Sequence, residues 1–278
     1  MDNQNHSVSI GNDRVGTGSP LLLIAGPCVI ENFDTTFQIA EHLRDLTESL
    51  NLNFIFKASY DKANRTSIQS YRGPGVAEGL AILKEIKETL GIRVLSDVHT
   101  ADQVAPAAEV LDVIQIPAFL CRQTDLIVET AKTGRPVNIK KGQFLAPWDM
   151  ANVVAKAASV GNDRILITER GAMFGYNNLV VDFRSIVLMQ QTGFPVIFDA
   201  THSIQLPGGA GSSSGGQREF APPLARAAVA AGADGVFMEV HPDPDKAFCD
   251  GPNSLRLDTV AALLKELIAV KNVLSKDQ

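Results

Sequence analysis

Eight short apolar runs recur along the chain with longer amphipathic stretches between them, and this alternation leaves few folds open. The runs are LLLIAGPC (21–28), NFIFKASY (53–60), RVLSDVH (93–99), VIQIPAF (113–119), PVNIKKG (136–142), RILITERG (164–171), PVIFDATHS (195–203) and GVFMEVHP (235–242). Near-continuous apolar character marks strands buried on both faces, as in a parallel sheet covered by helices. The segments FDTTFQIAEHLRDLTESL (33–50), VAEGLAILKEIKETL (76–90) and DTVAALLKELIAVKNVL (258–274) read as helices. In the last, Val260, Leu263, Leu264, Leu267 and Val270 recur at helical spacing. Eight β–α alternations predict the α/β class and a closed (β/α)8 TIM barrel rather than an open doubly wound sheet. The chain has 278 residues, enough for one such barrel, which takes about 250 residues as a single domain. We therefore expect one domain over 1–278, with residues 1–20 forming a short N-terminal β-hairpin that closes the lower end. Between 113–119 and 136–142 there is room for only a short helix. The stretch GGAGSSSGG (208–216) falls between the seventh strand and its helix, where a lid over the barrel mouth fits better than an interdomain linker.

Bulk properties narrow the partners. Hydrophobic residues make up 45% and charged residues 20% of the chain, enough apolar material for a sizeable core. The net charge of −6 and a pI near 5.4 argue against a nucleic-acid partner, which calls for a basic face. No apolar run approaches the roughly 20 residues needed to span a bilayer, and the polar first twenty residues lack the apolar core of a signal peptide. Cys28, Cys121 and Cys249 are too few and too scattered for a disulfide framework. A soluble, reduced, cytoplasmic protein with small-molecule substrates is the expectation.

Within that acidic chain, FKASYDKANRTSIQSYRGPG (56–75) gathers Lys57, Lys62, Arg65 and Arg72 against the single carboxylate Asp61. Cations among Ser, Thr, Asn and Gly suggest a place that collects anions. The apolar runs themselves end in polar groups: Cys28, Lys57 with Ser59, Asp97 with His99, Gln115, Lys140, Glu169 with Arg170, His202, and Glu239 with His241. A barrel builds its site at the C-terminal ends of its strands, so these ends should converge on one mouth. Any single Lys or Arg after a strand is more often a solvated surface group. Several facing one another would repel without a bound anion, and Lys57 and Lys140 sit in apolar strands where an unpaired charge is costly. A dianionic ligand would resolve that cost. Cys28, His202, Glu239 and Asp250 form a second constellation, a mixed soft and hard donor set suited to Zn2+, Fe2+, Mn2+ or Co2+. Taken alone, Cys28 reads as an inert buried thiol.

With these residues in view, the chain resembles the 3-deoxy-D-manno-octulosonate 8-phosphate synthase family. The likeness runs through IAGPCVIE, FKASYDKANRTSIQSYRGPG, LSDVH, IQIPAFLCRQTDL, NIKKGQF, TERGAMFGYNNLVVD, FDATHSIQLPG and EVHPDPDKAFCDGPNS, in order and over nearly the whole length. It implies a transferase that condenses phosphoenolpyruvate with D-arabinose 5-phosphate and water for lipopolysaccharide biosynthesis, releasing phosphate, with no organic cofactor. By that resemblance Lys57, Ser59, Lys62, Gln115, Ala118, Lys140 and Arg170 would hold phosphoenolpyruvate. Asn64, Arg65 and Thr66 would hold the sugar phosphate; many members carry Ser where this chain has Thr66, and the hydroxyl donor is kept. Asp97 would contact the aldose near its reacting end, and Lys62, Lys140, Asp97 and His202 would be the catalytic group. Arg122 would reach a neighbouring subunit's site, implying a homotetramer. Metal-dependent members carry Cys at the position of Cys28 and metal-independent ones carry Asn, so Cys28, His202, Glu239 and Asp250 are the implied ligands. The segment CDGP (249–252) resembles the metal-independent branch instead. The thiol decides for metal dependence, because Asn is scarcely a ligand.

Three other readings fit parts of the pattern. The 3-deoxy-D-arabino-heptulosonate 7-phosphate synthases share the barrel and donor but show a Lys-Pro-Arg-Thr run where this chain reads KANRTS. A Schiff-base aldolase would need a lone lysine able to lose its proton. A non-catalytic sugar-phosphate-binding barrel would not need Lys62, Lys140, Arg170 and His202 together.

Overall fold

The computed structural model describes residues 7–209 and 214–275. The eight runs form eight parallel strands: β1 (Leu22–Gly26), β2 (Asn53–Lys57), β3 (Arg93–Asp97), β4 (Val113–Ile116), β5 (Val137–Lys140), β6 (Ile165–Glu169), β7 (Val196–Asp199) and β8 (Gly235–His241). Each pairs with the next, and β8 closes the ring on β1 through Phe237 opposite Ile24. A sheet closed on itself has no exposed edge. Eight helices cover it: α1 (Phe33–Ser49), α2 (Val76–Leu90), α3 (Val104–Val110), α4 (Thr124–Lys132), α5 (Met150–Ala158), α6 (Arg184–Gln190), α7 (Ala221–Ala230) and α8 (Val260–Ser275). The short connection after β4 holds the nine residues of α4. Asn32 caps α1 by accepting from the Thr35 N–H at 2.9 Å, satisfying one of the free donors of the first turn.

Strand periodicity explains both the core and the site. Successive residues alternate between faces, so Leu23, Phe54, Phe56, Val94 and Ile114 turn outward into the layer beneath the helices. The intervening Ile24, Ile55, Leu95, Val113, Leu166, Ile197 and Phe237 pack together inside the barrel. Two residues further on, the same inward phase delivers Lys57, Asp97, Gln115, Thr168, Asp199 and Glu239, all buried. The barrel is thus apolar below and polar at its C-terminal mouth.

The lower end is stoppered as the sequence predicts. Strands Ser7–Ile10 and Asp13–Gly16 form an antiparallel hairpin, whose Val8, Ile10 and Val15 complete the inner apolar layer. It is tied down by an Arg93–Asp13 ion pair and by Asn53 Nδ2 donating to the Arg14 carbonyl at 2.9 Å. Residues 1–6 of the expected 1–20 extension lie outside the described residues.

Candidate active site

Lys62, Lys140, Arg170 and His202, which come from four different loops and strand ends, line one cavity at the mouth. Lys57, Ser59, Asn64, Arg65 and Thr66 line it too, as do Asp97, Gln115, Ala118 and Asp250. Cys28 and Glu239 are buried behind that lining, Cys28 Sγ 3.6 Å from Asp250 and Glu239 3.8 Å from Lys62. Arg122 does not reach this cavity; it lines a separate hollow with Asp149, Asn152 and Lys156. Of the cations in 56–75, Arg72 also turns away, bonded to Asp61 at 2.8 Å through Nε. Gly208 and Ser214 border the cavity, while 210–213 of the expected lid lie outside the described residues. The stem of that loop is a two-residue ladder, Gln205–Leu206 against Gly215–Gly216.

The expectation that the cations are uncompensated is corrected. Lys57 Nζ sits 3.1 Å from Glu239 Oε1 and donates to the Cys28 carbonyl at 2.8 Å. Lys140 Nζ is bonded to Asp199 and lies 3.6 Å from the centroid of the Phe237 ring. Arg65 Nη1 is 3.7 Å from Asp250, and Lys62 Nζ is 3.8 Å from Glu239. Carboxylates on the inward phase of the next strand but one neutralise the buried lysines, because an isolated ammonium there would cost several kcal/mol, on the order found for a broken buried pair. Arg170 is the exception. Among the described residues no carboxylate lies within ion-pair distance of it; Gln143 and Gln205 accept from its Nη atoms at 3.2 and 3.0 Å, and its Nε has no partner. Arg170 and the loosely paired Lys62 and Arg65 are therefore the cations placed to meet an anion.

Asp199 organises the centre. It accepts from His202 Nδ1 at 2.7 Å and from the His202 backbone N–H at 2.9 Å, as well as from Lys140. Burial opposes its ionisation, but His202 and Lys140 outweigh that and hold it well below the usual carboxylate range. Burial lowers His202 and Lys140 below their ordinary values, against the pull of Asp199. Glu239 is likewise held low against burial by His202, Lys57 and Lys62.

A second relay lines the opposite wall. Ser59 Oγ donates to Asp97 Oδ1 at 2.5 Å, and Asp97 Oδ2 meets His99 Nε2 at 2.9 Å. Burial works against charge on His99, yet the Asp97 hydrogen bond raises it above its ordinary value. Asp97 is depressed by the same contact.

The four implied metal ligands do not form a single group. Together with Cys249 they fall into two overlapping triads, Cys28–Cys249–Asp250 and His202–Glu239–Asp250, each with donor atoms within 4.8 Å of one another and with Asp250 shared. Burial, then the neighbouring Cys249, push the Cys28 thiol well above its ordinary value. Glu239 Oε2 is buried with no hydrogen-bond partner.

Sequence reasoning missed four side chains of the candidate site. Asp199 carries a readable signal, since it shares the inward phase of Ile197 just as Glu239 shares that of Phe237. Gln143 and Gln205 are loop residues with none. Cys249 was read only as part of a branch-specific segment. Two strand-end groups turn elsewhere: Glu169 shares the outward phase of Ile165 and Ile167 and pairs with Lys141 at 3.4 Å, and His241 lies 3.6 Å from Glu31.

Comparison with known proteins places this architecture. The DAHP synthetase I family profile matches residues 3–275. A 2-dehydro-3-deoxyphosphooctonate aldolase of Geotalea daltonii is 65% identical over 263 residues, covering 95% of this chain and 97% of its own. The protein of that name from Desulfosudis oleivorans is 66% identical over 95% of both chains. That of Desulfatibacillum aliphaticivorans is 61% identical over 97% of this chain and 99% of its own.

Proposed function

The chain belongs to the DAHP synthetase I family, and on that premise we propose that it is a 3-deoxy-8-phosphooctulonate synthase. It condenses phosphoenolpyruvate with D-arabinose 5-phosphate and water, giving 3-deoxy-D-manno-octulosonate 8-phosphate and phosphate for lipopolysaccharide synthesis. The observation that carries the reading is the convergence of Lys62, Lys140, Arg170 and His202 on one cavity, beside relatives of that activity at 61–66% identity. The chain acts as one barrel domain, with the hairpin as its stopper.

The chemistry follows from the charges. C3 of the enol attacks the aldehyde C1 of the sugar while water adds at C2, where positive charge develops. The hemiketal phosphate so formed expels phosphate by C–O cleavage. Arg170 and Lys62, neither with a tight carboxylate partner, bind the donor's phosphate and stabilise the charge that builds on it as it leaves. Lys57 and Lys140 hold its carboxylate end, with Ser59, Gln115 and Ala118 shaping the seat. Asn64, Arg65 and Thr66 on the loop after β2 grip the sugar phosphate, and Asp97, fixed by Ser59 and His99, faces the aldose. Anchoring both phosphorylated ends holds the reacting carbons in register, an effect worth about 7–11 kcal/mol in favourable systems. Asp199 holds His202 through Nδ1, which leaves Nε2 as a metal ligand first and a proton-transfer group second.

The donor set fits a divalent cation. A thiol, an imidazole and two carboxylates suit Zn2+, Fe2+, Mn2+ or Co2+, and the unpartnered Glu239 Oε2 is an acceptor that a cation would satisfy. Cys28, His202, Glu239 and Asp250 would hold it. When bound, such an ion supplies Lewis acidity for the aldehyde or the attacking water.

Arg122 serves a neighbouring subunit in a homotetramer. Its exclusion from its own cavity favours this, as do Phe144, Trp148 and Phe174, aromatic side chains 54–71% exposed, since exposed apolar residues of this size mark association surfaces when they gather.

Because the matched family profile bears the name of the heptulosonate enzymes, the deciding experiment is the choice of aldose. Phosphate release is measured with phosphoenolpyruvate and either arabinose 5-phosphate or erythrose 4-phosphate. Preference for the pentose phosphate is expected. Preference for the tetrose, or no phosphate release with either, would overturn the assignment.

A further inference from the structure

Two buried thiols meet at the base of the mouth. Cys28 Sγ, on the loop leaving β1, lies 2.9 Å from Cys249 Sγ, 221 positions away in the sequence. Cys28 Sγ is also 3.6 Å from Asp250 Oδ2, and Cys28, Cys249 and Asp250 form one of the two triads with donor atoms within 4.8 Å. A buried cysteine is ordinarily a small apolar filler. Filler does not account for two sulfurs in hydrogen-bond contact beside a carboxylate, under a cavity that holds polar chemistry.

The backbone is shaped to bring this about. Consecutive side chains in extended chain point to opposite sides, so Cys249 and Asp250 would not ordinarily share a site. Among the described residues Asp250 is one of three non-glycine positions with positive φ, at 49°, a conformation that is uncommon outside glycine and collects at functional positions. The Asp250 carbonyl accepts from the Asn253 and Ser254 N–H groups at 3.0 and 3.1 Å, which locks the turn. Gly251 closes it against Pro244, whose carbonyl oxygen would lie 2.3 Å from any Cβ at that position. The kink turns both side chains inward. Arg65 Nη1 then donates to Cys249 Sγ at 2.7 Å, placing a cation where the charge of a thiolate would be met.

We infer that Cys249 is a second sulfur donor to the divalent cation, so that the ion is held by both Cys28 and Cys249, with Asp250 joining them to the His202–Glu239 side. This rests on the metal reading above and goes further: the site is a two-sulfur site. On binding, both thiols give up their protons to solvent and the sulfurs become ligands. Paired thiolates favour zinc over a harder ion such as manganese.

X-ray absorption of the zinc-loaded enzyme tests this without reference to turnover. Two sulfur neighbours at about 2.3 Å are expected in the wild type. One is expected in Cys249→Ser and one in Cys28→Ser. Competition between zinc and manganese gives a second readout: Cys249→Ser should shift the preference toward manganese by at least about tenfold, the scale on which donor changes alter affinity. Cys249→Ala serves in place of the serine variant should that one fail to fold. A single sulfur in the wild type, unchanged in Cys249→Ser, overturns the inference while leaving a one-thiol metal site intact. Failure of the wild type to bind zinc or manganese at all overturns the metal reading and this inference together.

Discussion

Asp199 is a residue whose removal reaches three others at once. It is the counter-charge of Lys140, the orienting partner of His202 Nδ1 and an acceptor for Thr201 Oγ1 at 3.2 Å. Asp199→Ala leaves a fully buried ammonium without a partner, for which we expect a loss of about 3–5 kcal/mol in a urea unfolding measurement. Asp199→Asn keeps acceptors and should cost less stability while still lowering kcat. A loss below about 1 kcal/mol in the alanine variant, the range of an ordinary surface change, would show that Lys140 does not depend on this carboxylate. His99 supplies the pH dependence. Its folded value is raised by Asp97, so its proton is bound more tightly in the folded than in the unfolded chain. The resulting stabilisation is complete below the unfolded imidazole value of about 6.5 and is lost as pH rises through the higher folded value. Denaturation midpoints of the wild type should therefore fall as pH rises above about 6.5, and His99→Gln should flatten that decline. An unchanged slope in the variant would remove His99 from the account.

At the scale of strands and turns, the legible part of the molecule is the part set by periodicity. Apolar runs of the right length announced the eight strands, and helical spacing announced α1, α2 and α8 within two residues at either end. The polar ends of the same runs announced the mouth. What periodicity does not encode is how two loops meet. The Cys28–Cys249 contact depends on the left-handed backbone at Asp250, and the Arg170 clasp depends on Gln143 and Gln205, whose positions follow from loop paths rather than from any face. The compensation of Lys57 and Lys140 was missed for a different reason. Each lysine reads as unpaired within its own strand, whereas its carboxylate comes from the next strand but one. The β1–β2 pair carries a sharper prediction. Gly26 ends β1 where an added Cβ would lie 2.0 Å from the Lys57 carbonyl oxygen, a backbone atom that cannot swing aside. Gly26→Ala must force the two strands apart directly beneath Lys57 and Cys28. We expect a destabilisation of about 1–3 kcal/mol, the usual cost of overpacking, with a larger fall in kcat because both site residues shift. A variant that unfolds at the wild-type urea midpoint with normal turnover would mean the strands do not approach this closely.

The whole molecule poses the question of why an acidic chain should leave Arg122 outside its own cavity. With a net charge of −6, two copies of the chain repel at long range, so the proposed association would have to come from apolar contact at short range and from specific charge placement. Exposed Trp148 and Phe144 follow β5 on the same side as the hollow that Arg122 lines with Asp149 and Lys156. If Arg122 completes the site of a neighbour, two inactive variants should repair each other. Arg122→Ala lacks the reaching side chain but has an intact cavity; Lys140→Met has a dead cavity but can lend Arg122 across the interface. Mixed in equal amounts and reassembled after mild dissociation, half the cavities keep Lys140, and half of those face a partner that keeps Arg122. Roughly one quarter of wild-type activity should return, as reciprocal contact across a two-fold interface requires. Separate samples of either variant should stay far below that level. Mixtures no more active than the sum of their parts, with sedimentation showing that subunits had exchanged, would confine Arg122 to its own subunit and leave each barrel to work alone.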